Sequence, residues 1–144
     1  MSHAHEGEWV DEIAARAASQ NQQYLELMDT PPFGHSVTLA REHALNADLG
    51  AYRQTLLSHG LTDEMATDLE FARTAEARRR EIEGCGTSQP RPACAVTVRY
   101  IYQVLRGHSP EQVFAQTLLG FETVQAAMAA HDDTWVGINL VMPT

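Results

Sequence analysis

The segment from residue 93 to residue 105 constrains the fold more than any other part of the chain. It is rich in β-branched and aromatic residues, and its apolar positions run almost without interruption. Such a run is typical of a strand that is covered on both faces. The apolar residues of the segment are Ala95, Val96, Val98, Tyr100, Ile101, Tyr102, Val104 and Leu105.

Two shorter segments, 23–28 and 135–142, also read as strands. A loop with a short helical turn is expected at 35–47. Strands that alternate with helices favour right-handed crossovers and a parallel sheet. We therefore expect one α/β domain over residues 1–144, a partial (β/α)-barrel segment of about three parallel strands with connecting helices. Apolar residues at spacings of three and four predict those helices at 8–20, 48–59, 62–82 and 109–131.

Side-chain directions follow from the same spacings. Trp9, Ile13 and Ala17 are expected on one face of the first helix. The residues expected to face inward from the last helix are Phe114, Leu118, Phe121, Val124 and Met128. Ser109 precedes a proline at the first helical position, so it is expected to cap that last helix. A sheet of three strands has two open edges, and an open apolar edge is a surface for pairing. A homo-oligomer formed through these edges is therefore one expected partner arrangement.

Charge excludes some partners. The formal net charge is −9, and the ten basic residues are all arginine. An acidic surface repels phosphate backbones, so we expect no nucleic-acid partner. Without lysine, Schiff-base and P-loop chemistry are also excluded. Acidic neighbours surround Arg78, Arg79 and Arg80, which predicts a solvated helix face.

The location of the protein is predicted from what the sequence lacks. No apolar run approaches the roughly 20 residues of a membrane span, so no membrane partner is expected. The first residues do not resemble a signal peptide, which favours the cytoplasm, although export of a longer parent chain stays open. Cys85 and Cys94 would pair in an oxidising compartment and stay reduced in the cytosol, and the unpaired state is favoured.

Three segments in order resemble the adenosine deaminase family, including its growth-factor-related branch. The first contains Tyr24, Glu26 and Pro31, which match the family's second barrel strand, Tyr-x-Glu-x-Arg followed by Pro. The second, Val98–Arg106, resembles the third strand, Val-Arg-x-Ile with a second Arg seven residues after the first. The third, Val136–Leu140, is similar to the fourth strand, Val-x-Gly-[Ile/Phe/Met]-Asp-Leu. The resemblance covers roughly residues 8–144.

The resemblance implies a (β/α)-barrel hydrolase that removes the 6-amino group of adenosine or a related purine nucleoside. It also implies one zinc ion, which lowers the pKa of a bound water. In the family, a His-x-His pair, a further His and an Asp hold this zinc, on the first, fifth and last strands. Those strands would lie upstream and downstream of this chain, so the chain alone is expected to hold no zinc and to be inactive. Whether it is an enzyme by itself stays uncertain.

The chain departs from the family pattern in two places. Met28 stands where the family usually has Arg, and Met142-Pro143-Thr144 replaces a Gly-Asp-Glu run whose glycine backbone touches the purine. The second departure puts that purine contact in doubt. The motifs do not decide between adenosine and another aminopurine, and they do not fix the oligomeric state.

Several residues are candidates for a site. Glu26 and Arg99 are expected to form a structural ion pair in the barrel interior, because a buried carboxylate needs a partner. Asp29, His108 and Met142 follow or end strands, so they are expected at the pocket rim of the parent barrel.

The remaining histidines are expected to be structural. His3 and His5 have the spacing of a metal-binding pair, yet they precede a helix and are expected in a flexible N-terminus. His35 and His43 are expected as exposed loop residues. His59 lies near a helix C-terminus, where a cation complements the helix dipole.

Two other readings stay open. One is a self-associating, non-catalytic α/β binding or assembly module. The other is a small zinc hydrolase built around His3 and His5. Solution mass tests the first, and zinc content after both histidines are replaced tests the second.

Overall fold

The structure is a computed structural model that describes residues 5–143. It contains three parallel strands joined by helices, which confirms the predicted α/β class. The segment predicted as a loop at 35–47 instead holds a regular helix, α2. The strands are β1 (Tyr24–Asp29), β2 (Thr97–Leu105) and β3 (Trp135–Val141). The helices are α1 (Glu6–Ser19), α2 (Gly34–Glu42), α3 (Leu49–Ser58), α4 (Met65–Ile82) and α5 (Pro110–Ala129), with 3-10 turns at Leu61–Glu64 and Pro92–Ala95.

The strands lie in the sheet in the order in which they occur in the chain, β1-β2-β3. Tyr24 lies opposite Thr97, and Asp29 lies opposite Tyr102. The β2–β3 pairing has one irregularity, between Tyr100 and Ile101. A doubly wound sheet reverses its strand order at a switch point, whereas a (β/α)-barrel adds each strand beside the previous one. The observed order agrees with the expected barrel segment.

Within residues 5–143, helices cover one face of the sheet and leave the other uncovered. Buried and half-buried residues alternate along β2, and the buried ones are Val98, Tyr100, Tyr102 and Val104. The prediction that β2 is covered on both faces is wrong, because its other residues include Thr97, Arg99 and Gln103, which point away from the helices. We call this second surface of the sheet the open face.

Small residues, rather than the largest apolar ones, line the helix contacts. In α1 the buried residues include Val10 and Ala14, whereas Trp9 is 52% exposed and Ile13 43%. The reason is that α1 packs closely on α4. A Cβ atom at Gly7 would lie 2.4 Å from the Cγ of Arg78 on α4. Of the predicted apolar face, Ala17 is buried, whereas Trp9 and Ile13 lie largely outside the contact.

The same holds for α5. Phe121 and Met128 are 58% and 67% exposed, which contradicts their predicted inward direction. Gly120 faces the sheet instead, and a Cβ atom there would lie 2.9 Å from the Tyr102 ring. Only a glycine lets the helix approach β2 this closely, and this rotates the larger side chains outward.

Residues close in the chain determine several helix ends. The Ser109 hydroxyl accepts a hydrogen bond from the Gln112 N–H at 3.3 Å, which confirms the predicted cap of α5. Asp48 caps α3 by accepting from the Gly50 N–H at 2.9 Å. Gly60 follows α3 with φ +85°, a conformation that L side chains rarely adopt.

Arg79 is completely buried, so the prediction of a solvated arginine face is wrong at this position. Its guanidinium donates to the carbonyl oxygens of Ala93, at 2.9 Å, and Val96, at 3.3 Å. It also binds both carboxylate oxygens of Glu76, at 2.5 and 2.8 Å. Arg79 therefore ties the last turns of α4 to the segment that leads into β2.

Cys85 and Cys94 form a disulfide, so the expectation that they stay unlinked is wrong. Arg79 brings the two ends of this loop together, because it holds the carbonyl next to Cys94 from the helix that precedes Cys85. The Cα atoms of the two cysteines lie 5.4 Å apart, within the normal range for a disulfide.

We expect reduction of this disulfide to lower the free energy of unfolding by about 2–3 kcal/mol, because a loop of this length gains that much chain entropy when opened. Urea unfolding with and without a phosphine reductant measures the difference. The double variant Cys85→Ser/Cys94→Ser serves as the control, and reductant should leave its stability unchanged. An equal effect of reductant on both proteins would contradict the prediction.

Candidate functional site

The three predicted rim residues lie at the carboxyl end of the sheet. Asp29 ends β1, His108 follows β2, and Met142 follows β3. In parallel α/β sheets, ligands bind at this end of the strands. The structure thus places all three at one edge, on three neighbouring strands.

Asp29 has the environment of an acid–base group. One carboxylate oxygen, Oδ2, is buried and has no hydrogen-bond partner within residues 5–143. Burial, with the negative charge of Glu6, raises the pKa of Asp29 to about 7. A carboxyl group with this pKa both gives and takes protons near neutral pH, as catalytic acids and bases do.

His108 and Met142 border the other half of the edge. The Arg106 guanidinium donates to the Met142 carbonyl at 2.5 Å. The Met142 side chain covers Gly107, where a Cβ atom would lie 3.1 Å from its Cε. His108 is exposed and lines a cavity of about 440 Å³ with Leu45 and other apolar residues. Asp29 does not line this cavity, so the rim residues form two separate groups.

A second cavity, of about 750 Å³, lies between the first turn of α1 and α4. Pro32, which follows β1, closes one side, and Phe71 and Ala75 contribute apolar surface. Glu8 and Arg78 stand at its wall and form an ion pair at 3.1 Å. The volume falls within the range of small-molecule sites in proteins.

Glu26 and Arg99 lie directly opposite each other on β1 and β2. They do not form the predicted ion pair: Arg99 binds the Asp133 carboxylate, and Glu26 accepts the Tyr24 hydroxyl at 2.8 Å. The open face explains this, because a solvated carboxylate does not require a buried cation.

Side chains of the outer strands also meet across the open face. The Asn139 amide on β3 donates to the Met28 sulfur on β1 at 3.0 Å. The intervening strand presents Ile101 and Gln103 between them. The open face therefore mixes polar and apolar groups, as the interior of a ligand-binding barrel does.

Asp68 is a buried acid that the sequence analysis missed. Its Oδ2 accepts the Tyr102 hydroxyl at 2.7 Å, and its Oδ1 has no partner in the described part of the chain. The Trp135 indole N–H donates to the Asp68 carbonyl at 3.3 Å. Burial raises the pKa of Asp68 to about 7, against the smaller opposing effect of the Tyr102 hydrogen bond. A signal existed, because Asp68 lies four residues before inward-facing Ala72.

Glu64 has a structural role that its position in the chain does not reveal. Its carboxylate accepts the backbone N–H groups of His35, at 3.0 Å, and Ser36, at 2.9 Å. These are first-turn donors of α2, so Glu64 caps that helix from a distant segment. The His35 ring is not the solvated loop histidine that was expected, since its Nε2 is buried.

The other histidines fall into three places. His5 immediately precedes α1 and is exposed, and His3 lies outside the described residues. His43 follows α2 and His59 follows α3, with ring centroids 4.2 Å apart.

The donor set does not fit the zinc centre that the family resemblance implies. Among residues 5–143, no group of three or more His, Cys, Asp or Glu side chains is arranged to hold a metal ion. Both cysteines are committed to the disulfide. Over the same range, no helix has the length and apolar character required to cross a bilayer.

No protein-family model, curated protein or solved structure matches this chain.

Proposed function

We propose that the chain forms three strands of the wall of a (β/α)-barrel hydrolase of the adenosine deaminase type, which acts on a purine nucleoside. The observation that carries the proposal is the sheet: parallel strands in sequential order with helices on one face only. In a complete barrel, the open face would point to the interior and the carboxyl edge would point to substrate.

The family-like segments agree with this assignment. Each of the three falls on one strand, in the same order as in the family. The position of Asp29 adds chemical support, because a carboxyl group with a pKa near 7 stands at the edge where barrel enzymes act.

Zinc would supply the hydroxide for deamination in the family. Because the described residues do not provide the donor set of the family's zinc centre, we derive no step through it. The role of this chain is therefore to position substrate, and the metal ligands would come from other strands.

We expect no adenosine deamination by the purified chain supplied with zinc. Loss of the absorbance of adenosine as inosine forms provides the assay, and a blank without protein gives the baseline. The same assay on a His3→Gln/His5→Gln variant shows whether any residual rate depends on the N-terminal histidines. Turnover above the blank would contradict the assignment of a substrate-positioning wall without its own catalytic centre.

A second candidate function is self-association, favoured by an exposed apolar surface beside β3. We call this surface, formed by Phe121, Met128, Val136 and Leu140, the β3-edge strip. Its members are between 39% and 67% exposed. An apolar strip next to an unpaired strand is a surface for pairing with another chain.

Sedimentation equilibrium separates the two functions. A barrel wall without its complement sediments as a monomer or as heterogeneous aggregates, whereas an evolved assembly module forms one oligomer of defined size. If such an oligomer exists, Leu140→Arg should dissociate it, because a charge at the contact is costly to bury. Trp9→Arg, at an exposed position on α1, is the matched control.

The disulfide also bears on the cellular compartment in which the protein is located. Disulfides persist in oxidising compartments and are rare in the cytosol. The Cys85–Cys94 bond therefore favours an oxidising environment over the cytoplasmic location that the sequence predicts.

A further inference from the structure

Two histidines meet where two helices end. His43 is the residue after α2, and His59 is the residue after α3. Their imidazole rings are in contact in a tilted arrangement, with centroids 4.2 Å apart and planes inclined by 47°. Neither residue contributes to the carboxyl edge of the sheet or to the open face.

His59 is already oriented as a metal ligand. Its Nδ1 lies 2.7 Å from the Thr55 carbonyl oxygen, which requires the proton to be on Nδ1. In the neutral form of the ring, the lone pair is then on Nε2. Metal-binding histidines are held in this way, by a backbone carbonyl on the nitrogen that does not bind the metal.

The surroundings favour a cation. The C-terminus of a helix carries a partial negative charge, and two such ends converge at this pair. Glu42 precedes His43, and the Asp63 carboxylate lies beside Gly60, within 2.6 Å of where a Cβ atom would stand. The whole chain carries a net charge of −9.

The distance between the two ring centroids has to increase only slightly for both rings to bind one metal ion. With zinc–nitrogen bonds near 2.1 Å and a tetrahedral angle, two coordinated imidazoles have centroids roughly 5 Å apart. His59 is exposed and His43 is half-buried, so rotation of the side chains supplies the remaining distance. Water completes the coordination of a surface site with two protein ligands.

We propose that His43 and His59 form a two-imidazole site for a divalent transition-metal ion such as zinc, which links the end of α2 to the end of α3. The site is independent of the proposed barrel function and of the family's zinc centre. It departs from the expectation that His43 is an unoccupied loop histidine.

Zinc chloride titrated into the disulfide-bonded protein at pH 7.5 tests the proposal by calorimetry. The starting protein carries His3→Gln/His5→Gln, so that the N-terminal histidines do not contribute. We expect one equivalent to bind, and either His43→Gln or His59→Gln to weaken binding by at least tenfold. His131→Asn is the matched control, because Asn tolerates the positive φ at that position.

A second readout identifies the binding atoms. In ¹⁵N spectra of the histidine rings, zinc should shift Nε2 of His59 while its Nδ1 stays protonated. Binding that persists in both single variants, or a ring spectrum that zinc does not change, would overturn the proposal. Circular dichroism of each variant checks that it is folded, and both positions are accessible enough to tolerate glutamine.

Discussion

Replacing Trp135 with alanine should lower the free energy of unfolding by about 3–5 kcal/mol, the range for a large aromatic side chain removed from a packed core. Trp135 is fully buried at the start of β3. Its ring packs against Tyr100 and Tyr102, with centroids 5.6 and 5.3 Å away. Its N–H group also donates to the Asp68 carbonyl, so the substitution opens a cavity and removes a buried hydrogen bond.

Urea unfolding followed by far-ultraviolet circular dichroism measures this loss. Val136→Ala, at the neighbouring position that is 39% exposed, is the control and should cost less than about 1 kcal/mol. Trp135→Phe should fall between the two, since it keeps most of the contact area but loses the hydrogen bond. A cost for Trp135→Ala no greater than that of the control would show that this aromatic cluster does not support the sheet.

The protein should be more stable near pH 5 than at pH 8. The pKa values of Asp29 and Asp68 are both raised to about 7 in the folded state, chiefly by burial, from an ordinary value of 3.8. The folded state therefore holds protons that the unfolded state releases, and their stabilising contribution is lost as pH rises from about 4 to 7. For fully buried Asp68, the difference corresponds to roughly 2–4 kcal/mol. Unfolding midpoints in urea across this range measure the slope.

The variant Asp68→Asn tests how much of this pH dependence of stability is due to Asp68. The amide oxygen can still accept the Tyr102 hydroxyl, but the side chain has no charge to desolvate. We expect the variant to be less dependent on pH between 5 and 8 and to match or exceed the parent protein at pH 8. The exposed acid Asp63→Asn is the control and should keep the parent slope. A variant with the same slope as the parent would show that Asp68 is not the group responsible.

The helix–strand order was predictable because it depends on local signals. Ser109 and Gly60 act within a few residues of the ends they determine, and each strand is an apolar segment between them. Residues 35–47 were harder, because the cap of α2 is Glu64, which lies on another element. A helix whose capping group is distant in the chain gives no signal at its own start.

Side-chain directions were the least predictable feature. The spacing of apolar residues selected Trp9 and Phe121, whereas the contact surfaces are built on Gly7 and Gly120, where neighbouring elements come close. In α4, the inward face includes Asp68 and Arg79, at spacings that fit a stripe with Ala72 and Ala75. A search for apolar stripes excludes charged residues, so it could not find either of them.

The placement of the three rim residues at the strand ends could be predicted, but their chemical environment could not. Strand ends mark the carboxyl edge, which located Asp29, His108 and Met142. The raised pKa of Asp29 depends on burial and on Glu6, which belongs to a different helix, and neither can be read from a strand pattern. The Glu26–Arg99 pairing failed because it assumed an enclosed interior around a face that is open here.

The parallel pairing of β1 with β2 has a consequence for how the chain reaches its native state. Tyr24 must find Thr97 across a crossover that contains three helices, so the central contact of the sheet has a high contact order. Until that contact forms, the apolar strand β2 has no partner on the side that β1 occupies in the native sheet. Refolding should therefore be slow relative to that of a helical protein of this size, and its yield should fall as the protein concentration rises.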